Sequence, residues 1–310
     1  MEKSFRSLAL ACTAIGLLAA ACQPQAKPHA VAHSRPETKA GIAANAQPAT
    51  AAHLPVVTHL GPDEASAEDR TRVEIGAPVP NISAFLTANN LAPLWQADFG
   101  QRENDYPRPT VLDGFYGAEH RHIAFIFDSV EPDTAQVGAF RVRGRSRFRK
   151  SITPFAGAIT VVGIRSMKAF LDLDSAEVAQ ARSYTATARF VLHEDSTATG
   201  AGTFQGTAHL DFYRLGTGKL DLLQTFPDKA FPSGGGGLLF RGQWRSRRTG
   251  RQQAVAFANY SQSVVPDAMS DLYLGDRGEN INPKYAGLDW SEAWENEEWW
   301  AKSPKPSLNL

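Results

Sequence analysis

Residues 203–213 read TFQGTAHLDFY. The even positions Phe204, Gly206, Ala208, Leu210 and Phe212 are apolar or small. The odd positions Thr203, Gln205, Thr207, His209, Asp211 and Tyr213 are mostly polar. Side chains alternate across a strand, so this stretch has one dry and one wet face, the pattern of an antiparallel sheet covering a core on one side. Sliding the register by one residue would turn every apolar side chain outward. The expectation is a strand with Phe204, Leu210 and Phe212 buried and His209 and Asp211 exposed.

Similar alternation recurs near residues 115–128, 139–149, 155–163, 184–193, 238–247 and 252–260. Turn-forming stretches separate most of these runs: EPDT (131–134), DSTATG (195–200), PSGGGG (232–237) and RRTG (247–250). Phe-x-Gly recurs at Phe155/Gly157, Phe204/Gly206 and Phe240/Gly242. At strand spacing each pair shares a face, so a ring sits beside an empty position, as in a curved sheet or a small barrel. The fold class is therefore mainly β, an antiparallel up-and-down barrel or two-sheet sandwich of about seven or eight strands. At the level of fold this resembles lipocalin-like barrels, a resemblance that implies an interior able to carry a small apolar ligand. Short helices are expected in NISAFLTANNL (81–91) and DSAEVAQARS (174–183). A third, DWSEAWENEEWWAK (289–302), is rich in Trp and acids and should dock its tryptophans on the barrel.

The stretch AFRVRGRSRFRK (139–150) places Arg141, Arg143, Arg145, Arg147 and Arg149 at every second position. Burying five guanidinium groups would need five placed partners. They should therefore line the wet face of a strand, with Phe140, Val142 and Phe148 turned inward. A second basic run, LLFRGQWRSRRTGR (238–251), puts Arg241, Arg245 and Arg247 on one face, with Arg248 and Arg251 near the turn. If the two strands adjoin, the surface suits phosphates, sulfates or carboxylates. If acids such as Asp128, Asp133 or Glu292 to Glu298 cover the first stripe, its role is architectural.

The chain opens MEKSFRSLALACTAIGLLAAAC (1–22). Lys3 and Arg6 precede an apolar run that ends in small residues, the layout of a secretory signal. The segment resembles the signal of bacterial lipoproteins, whose cysteine is lipidated and becomes the mature N-terminus. Here that residue is Cys22, and the resemblance implies a lipid anchor. Gln23 follows where an acidic residue would imply retention at the inner membrane, so the resemblance favours the outer membrane. Both cysteines, Cys12 and Cys22, lie inside this segment. An exported domain without disulfides must be held by its core. Residues 23–71 are rich in Ala, Pro and small polar residues and read as a flexible linker. A coil of that length reaches on the order of 40 Å. Residues 72–310 remain for one β-rich domain.

Lys plus Arg and Asp plus Glu both number 32, so no global field draws nucleic acid, and any electrostatic role must come from local segregation. Nucleic acid is not an expected partner; lipopolysaccharide, an acidic glycan or an acidic protein is. The glycine run Gly234–Gly237 precedes a strand, not a helix, so no phosphate cradle is expected. His120 and His122 loosely resemble the cupin metal motif, but Asp128 would lie about 20 Å away along a straight strand. Both histidines should face solvent, with no metal or cofactor site. No G-x-S-x-G elbow appears. His209 with Asp211, and His193 with Glu194 and Asp195, are the nearest acid–base neighbours. The reading is a lipid-anchored, non-enzymatic binding or scaffolding module, with a lipocalin-like carrier and a hydrolase as alternatives.

Overall fold

The alternation of residues 203–213 becomes a strand whose dry face is the inside of a barrel. The computed structural model describes residues 73–97, 110–169, 171, 180–225, 227–274, 280–290 and 299–300. The chain divides into two units, 1–58 and 59–310, and the fold below belongs to the second. The signal, the whole of the expected linker and the expected helix at 174–183 (apart from its last residues, 180–183) lie outside the described residues, as do residues 291–298 and 301–302 of the expected C-terminal helix.

The strands are β1 (Glu74–Pro78), β2 (Leu112–Tyr116), β3 (Arg121–Pro132), β4 (Ala139–Phe148), β5 (Ser151–Lys168) and β6 (Arg182–Glu194). After them come β7 (Gly202–Arg214), β8 (Leu220–Leu222), β9 (Leu238–Ser246) and β10 (Gln252–Ala258). Pairing runs β5-β4-β3-β2-β10-β9-β7-β6, and β6 pairs back onto β5. Eight antiparallel strands thus form a closed ring in which each neighbour is the next strand in sequence, apart from the short β8 and the pair β2–β10, which joins the first stave to the last. Closure removes the unpaired edges that an open sheet would present. β1 adds to β5. β8 and β9 both pair with β7, at 212–214 and 202–210 respectively, so they share one stave, interrupted by loop 223–237.

The expected run 115–128 is two strands. Gly117 and His120 adopt left-handed backbone (φ 72° and 54°) and turn the chain between β2 and β3. Gly-Ala-Glu-His offers a single Gly as its turn signal, without the Ser, Thr, Asp or Pro that accompanies the other turns.

Inside, Phe125, Phe257 and Phe240 stack with centroids 3.9 and 4.6 Å apart. Phe204, Phe190, Phe127 and Phe155 meet them edge-on or tilted. Each fully buried ring contributes about 1.5–3 kcal/mol. The Phe-x-Gly pairs do share the inner face. Gly206 stands opposite Gly242, and a Cβ on Gly206 would lie 2.1 Å from the Arg241 carbonyl oxygen and 2.6 Å from Gly242 Cα. The coiled strands approach too closely there for any side chain, which is how so many rings fit a small barrel.

Helix Ile82–Ala88, capped by Asn81 whose Oδ1 accepts from Ala84 N at 2.8 Å, matches the expected helix. With Ala92–Trp95 it seals the interior where β6 begins and β7 ends. Phe85 edges Tyr184 and Phe212, and Trp95 edges Phe240. Residues beyond β10 fold over the outer wall of β2, β9 and β10. Trp290, Tyr285, Leu272 and Met269 bury Phe115, Leu239 and Ala258 there. Trp290 docks as expected, and Asp289 at φ 66° ends the 3-10 turn Pro283–Leu288 that delivers it.

Two expectations about polar residues are corrected. His122 does point away from the interior, but it is buried under Trp290, with ring centroids 4.7 Å apart, and its Nε2 bonds Asp113 Oδ1 at 2.8 Å. Asp211 is fully buried, because loop 223–237 covers the outer face of β7 at the break between β8 and β9. Both faces of the sheet are dry at these points, and period-two alternation cannot report a second layer.

Candidate functional site

The first arginine stripe lies on β4 for four of its five members. Arg141 and Arg143 are exposed, Arg145 and Arg147 half-buried, and Phe140 and Val142 point inward, with Phe148 half-buried against Tyr116. Arg149 leaves the strand at the hairpin turn in left-handed backbone (φ 56°). Acids meet most of this stripe. A bulge at Asp128, where the β3–β4 register shifts, turns its carboxylate outward toward Arg145. Arg145 forks onto it, Nε donating at 3.1 Å and Nη2 at 2.5 Å, while Nη1 donates to the Trp300 carbonyl. Arg141 sits 3.9 Å from Glu131, and Arg149 is 3.9 Å from Asp289. Arg147 Nε donates to the Arg149 carbonyl at 3.2 Å. Arg121 on β3 joins Glu119 and Asp289.

The second basic run is on the other side of the barrel. Three strands separate β4 from β9 in either direction around the ring. The two stripes therefore do not adjoin, and the broad joint surface expected of them is replaced by two separate faces. Arg241 and Arg245 point outward from β9, and Arg247 and Arg248 stand exposed in the turn beyond it. Arg241 reaches the Ser263 carbonyl at 3.4 Å. Arg245, Arg247 and Arg248 form no ion pair among the described residues.

These three arginines line a groove of about 750 Å³ at the rim. Its floor is the outer face of β6, β7 and β9, where His193, Thr203 and Arg245 fall in one cross-strand row. Neighbouring strands lie about 4.8 Å apart, so the row spans about 10 Å. His193 Nδ1 and Thr203 Oγ are 3.1 Å apart and orient one another. The β9–β10 turn overhangs the floor. Arg247 N donates to the Ala201 carbonyl at 3.1 Å, tying it to the β6–β7 turn, and Gly250 N closes on the Ser246 carbonyl at 3.0 Å. Gly250 takes φ 69°, which a glycine adopts without strain.

Glu194 also borders the groove, but among the described residues it forms no ion pair with the three arginines. Its Oε1 accepts from Ser146 Oγ at 3.2 Å, and its Oε2 accepts from Gly202 N at 2.8 Å and Trp244 Nε1 at 2.9 Å. Those donors hold the carboxylate toward the barrel mouth. Tyr116 shares that environment, its hydroxyl pushed up to about 12 by burial and then by Glu194, against Arg251. The expected face holds Arg241 and Arg245 on the outer side of β9, while Arg247, expected with them, falls in the turn past the strand's end. The sequence pattern missed His193, Thr203 and the arrangement with Arg248, because only strand pairing brings residues 193, 203 and 245 together.

A second polar cluster lies under loop 223–237. Asp211 Oδ2 accepts from Ser233 N at 2.9 Å, and Ser233 Oγ accepts from Gly237 N at 3.0 Å. Burial pushes the Asp211 carboxyl above its usual range, against the opposing pull of Ser233, Thr185 and His209. His209 is held down by burial, against the pull of Asp211. Thr185 stands opposite Asp211 in the ladder. Asp211 Oδ1, the Thr185 hydroxyl and His209 Nδ1 make no hydrogen bond of good geometry. This cluster closes the loop over the barrel, and sealed as it is, it offers a substrate no approach to Asp211. Among the described residues no group of three or more His, Cys, Asp or Glu side chains converges as for a metal. Cys22 lies outside the described residues.

No family model, curated protein or solved structure matches the chain.

Proposed function

We propose that this chain is a lipid-anchored, non-enzymatic binding module of a bacterial cell envelope, held by Cys22 at the outer membrane, whose barrel recognises an anionic partner. The observation that carries the reading is the contrast between the two basic faces. In the first stripe Arg141, Arg145 and Arg149 are met by Glu131, Asp128 and Asp289, whereas Arg245, Arg247 and Arg248 converge on a groove whose one carboxylate is already bonded by three donors. Guanidinium groups left open at a concave surface favour phosphate, sulfate or carboxylate ligands. A carrier needs interior space, and the stacking of Phe125, Phe257 and Phe240 inside the barrel supports the binding-module reading over it.

Retention of the full chain on a heparin matrix at low salt tests the reading. Replacing Arg245, Arg247 and Arg248 together with Gln should abolish retention, and replacing Arg141, Arg145 and Arg149 should leave most of it. Added salt should elute the wild type, because exposed charges are screened. Unchanged retention of the Arg245/Arg247/Arg248 variant would overturn the proposal.

A further inference from the structure

The groove beside Arg245 has a second property that a surface for bulk anions does not need. Its volume of about 750 Å³ falls in the range of about 300–1,000 Å³ typical of small-molecule sites. Apart from Val191 and Glu194, whose carboxylate is held by Ser146, Gly202 and Trp244, the side chains lining it are neutral hydrogen-bonding groups or cations. Thr203 and Gln205 project from β7 beside His193 and Arg245, and Thr249 caps the overhanging turn. A flat basic face would serve any polyanion. A recess with three guanidinium groups at one end and hydroxyl, amide and imidazole groups along its floor serves a ligand that is itself divided, anionic at one end and hydroxyl-rich at the other.

We propose that this groove binds a phosphorylated saccharide. The phosphate lies among Arg245, Arg247 and Arg248, whose planar forks match its oxygens in pairs. The sugar lies over the row His193–Thr203 toward Gln205, where hydroxyl groups find both donors and acceptors. Glu194 supports the arrangement without touching the ligand: by accepting from Gly202 N and Trp244 Nε1 it fixes the start of β7 against β9, the two strands that carry Thr203 and Arg245. The inference rests on the anion-binding reading above and adds the ligand class to it.

Calorimetric titration of the full-length chain in detergent with glucose 6-phosphate, inorganic phosphate and glucose separates the two. Glucose 6-phosphate should bind at least tenfold more tightly than inorganic phosphate, and glucose should give no measurable heat. Arg245→Gln with Arg247→Gln should weaken glucose 6-phosphate at least tenfold. Thr203→Val should weaken it severalfold while leaving inorganic phosphate unchanged. Equal affinity for glucose 6-phosphate and inorganic phosphate, or heparin retention that glucose 6-phosphate cannot displace, would sink the saccharide assignment and leave the anion reading standing. Absence of binding by both phosphates together with no heparin retention would sink both. Where the phosphosugar is borne by a lipid, the full chain carrying Cys22→Ser should sediment with vesicles containing a phosphorylated glycolipid and not with phosphatidylcholine vesicles. Binding of free glucose 6-phosphate without such sedimentation assigns a soluble ligand.

Discussion

Asp211 shows how one side chain can be tied to loop closure and to pH at once. Its carboxyl is raised by burial, so the folded state holds the proton more tightly than the unfolded chain does. The stability from this group is fully present below the unfolded value of 3.8 and is lost as pH rises through the higher folded value. Urea denaturation of the wild type should therefore show stability falling from about pH 4 upward through this group. Asp211→Asn keeps an acceptor for Ser233 N and removes the titration, and its stability should be flatter over the same range. An unaltered pH profile in Asp211→Asn would refute the assignment. At Gly206 the constraint is steric. A Cβ there would lie 2.1 Å from the Arg241 carbonyl oxygen, and since the neighbour is backbone, Gly206→Ala should cost on the order of 3 kcal/mol in the same assay.

At the scale of elements, the β3 bulge and the β9–β10 turn give arginines opposite fates. The bulge delivers Asp128 to Arg145, a forked pair that is still partly exposed, with side-chain exposures of 29% for Arg145 and 41% for Asp128. Solvent screening limits its value, so a double-mutant cycle on Arg145→Ala and Asp128→Ala should give a coupling of about 1 kcal/mol or less. A coupling several times larger would show that the pair is effectively buried. The end of β9 and the β9–β10 turn bring three cations to one rim, where none of them is ion-paired among the described residues and the one bordering carboxylate, Glu194, is bonded to other donors. The outer layer formed by residues 259–274 and 280–290 is a third device, because it turns part of the wet barrel wall into a second core. Trp290 is completely buried there between Phe115 and His122. Trp290→Ala should cost about 3–5 kcal/mol, measured as a drop in the urea midpoint.

The whole molecule combines a closed eight-stranded barrel with an N-terminal segment that resembles a lipoprotein signal. A ring of pairing leaves no open edge along the eight staves, so recognition falls to the rim and outer wall. The lipid attachment proposed at Cys22 predicts that the full chain fractionates with membranes and that Cys22→Ser releases it, since stable anchoring takes more than one acyl chain. Continued membrane fractionation of Cys22→Ser would exclude the anchor.

What the sequence by itself determined is everything governed by short-range periodicity. Alternation at 203–213 predicted Phe204, Leu210 and Phe212 inside, the Phe-x-Gly pairs predicted a curved inner face, and Asn81 marked a helix start. The outward direction of Arg141 and Arg143 was legible for the same reason, since a strand allows only two faces and five charges exclude one. What only the tertiary structure decided is everything that depends on which strand lies beside which. Closure of β6 onto β5 made the sheet a barrel and put β4 and β9 on opposite sides. Strand pairing across β7 and β9 brought Arg245 beside His193 and Thr203, which face each other on the β6–β7 hairpin. The burial of Asp211 and His122 came from segments laid over the outer wall. Alternation records which side of a strand faces the first core, and it carries no information about a second layer, because long-range packing is set by contacts between segments and not by the order of residues within one.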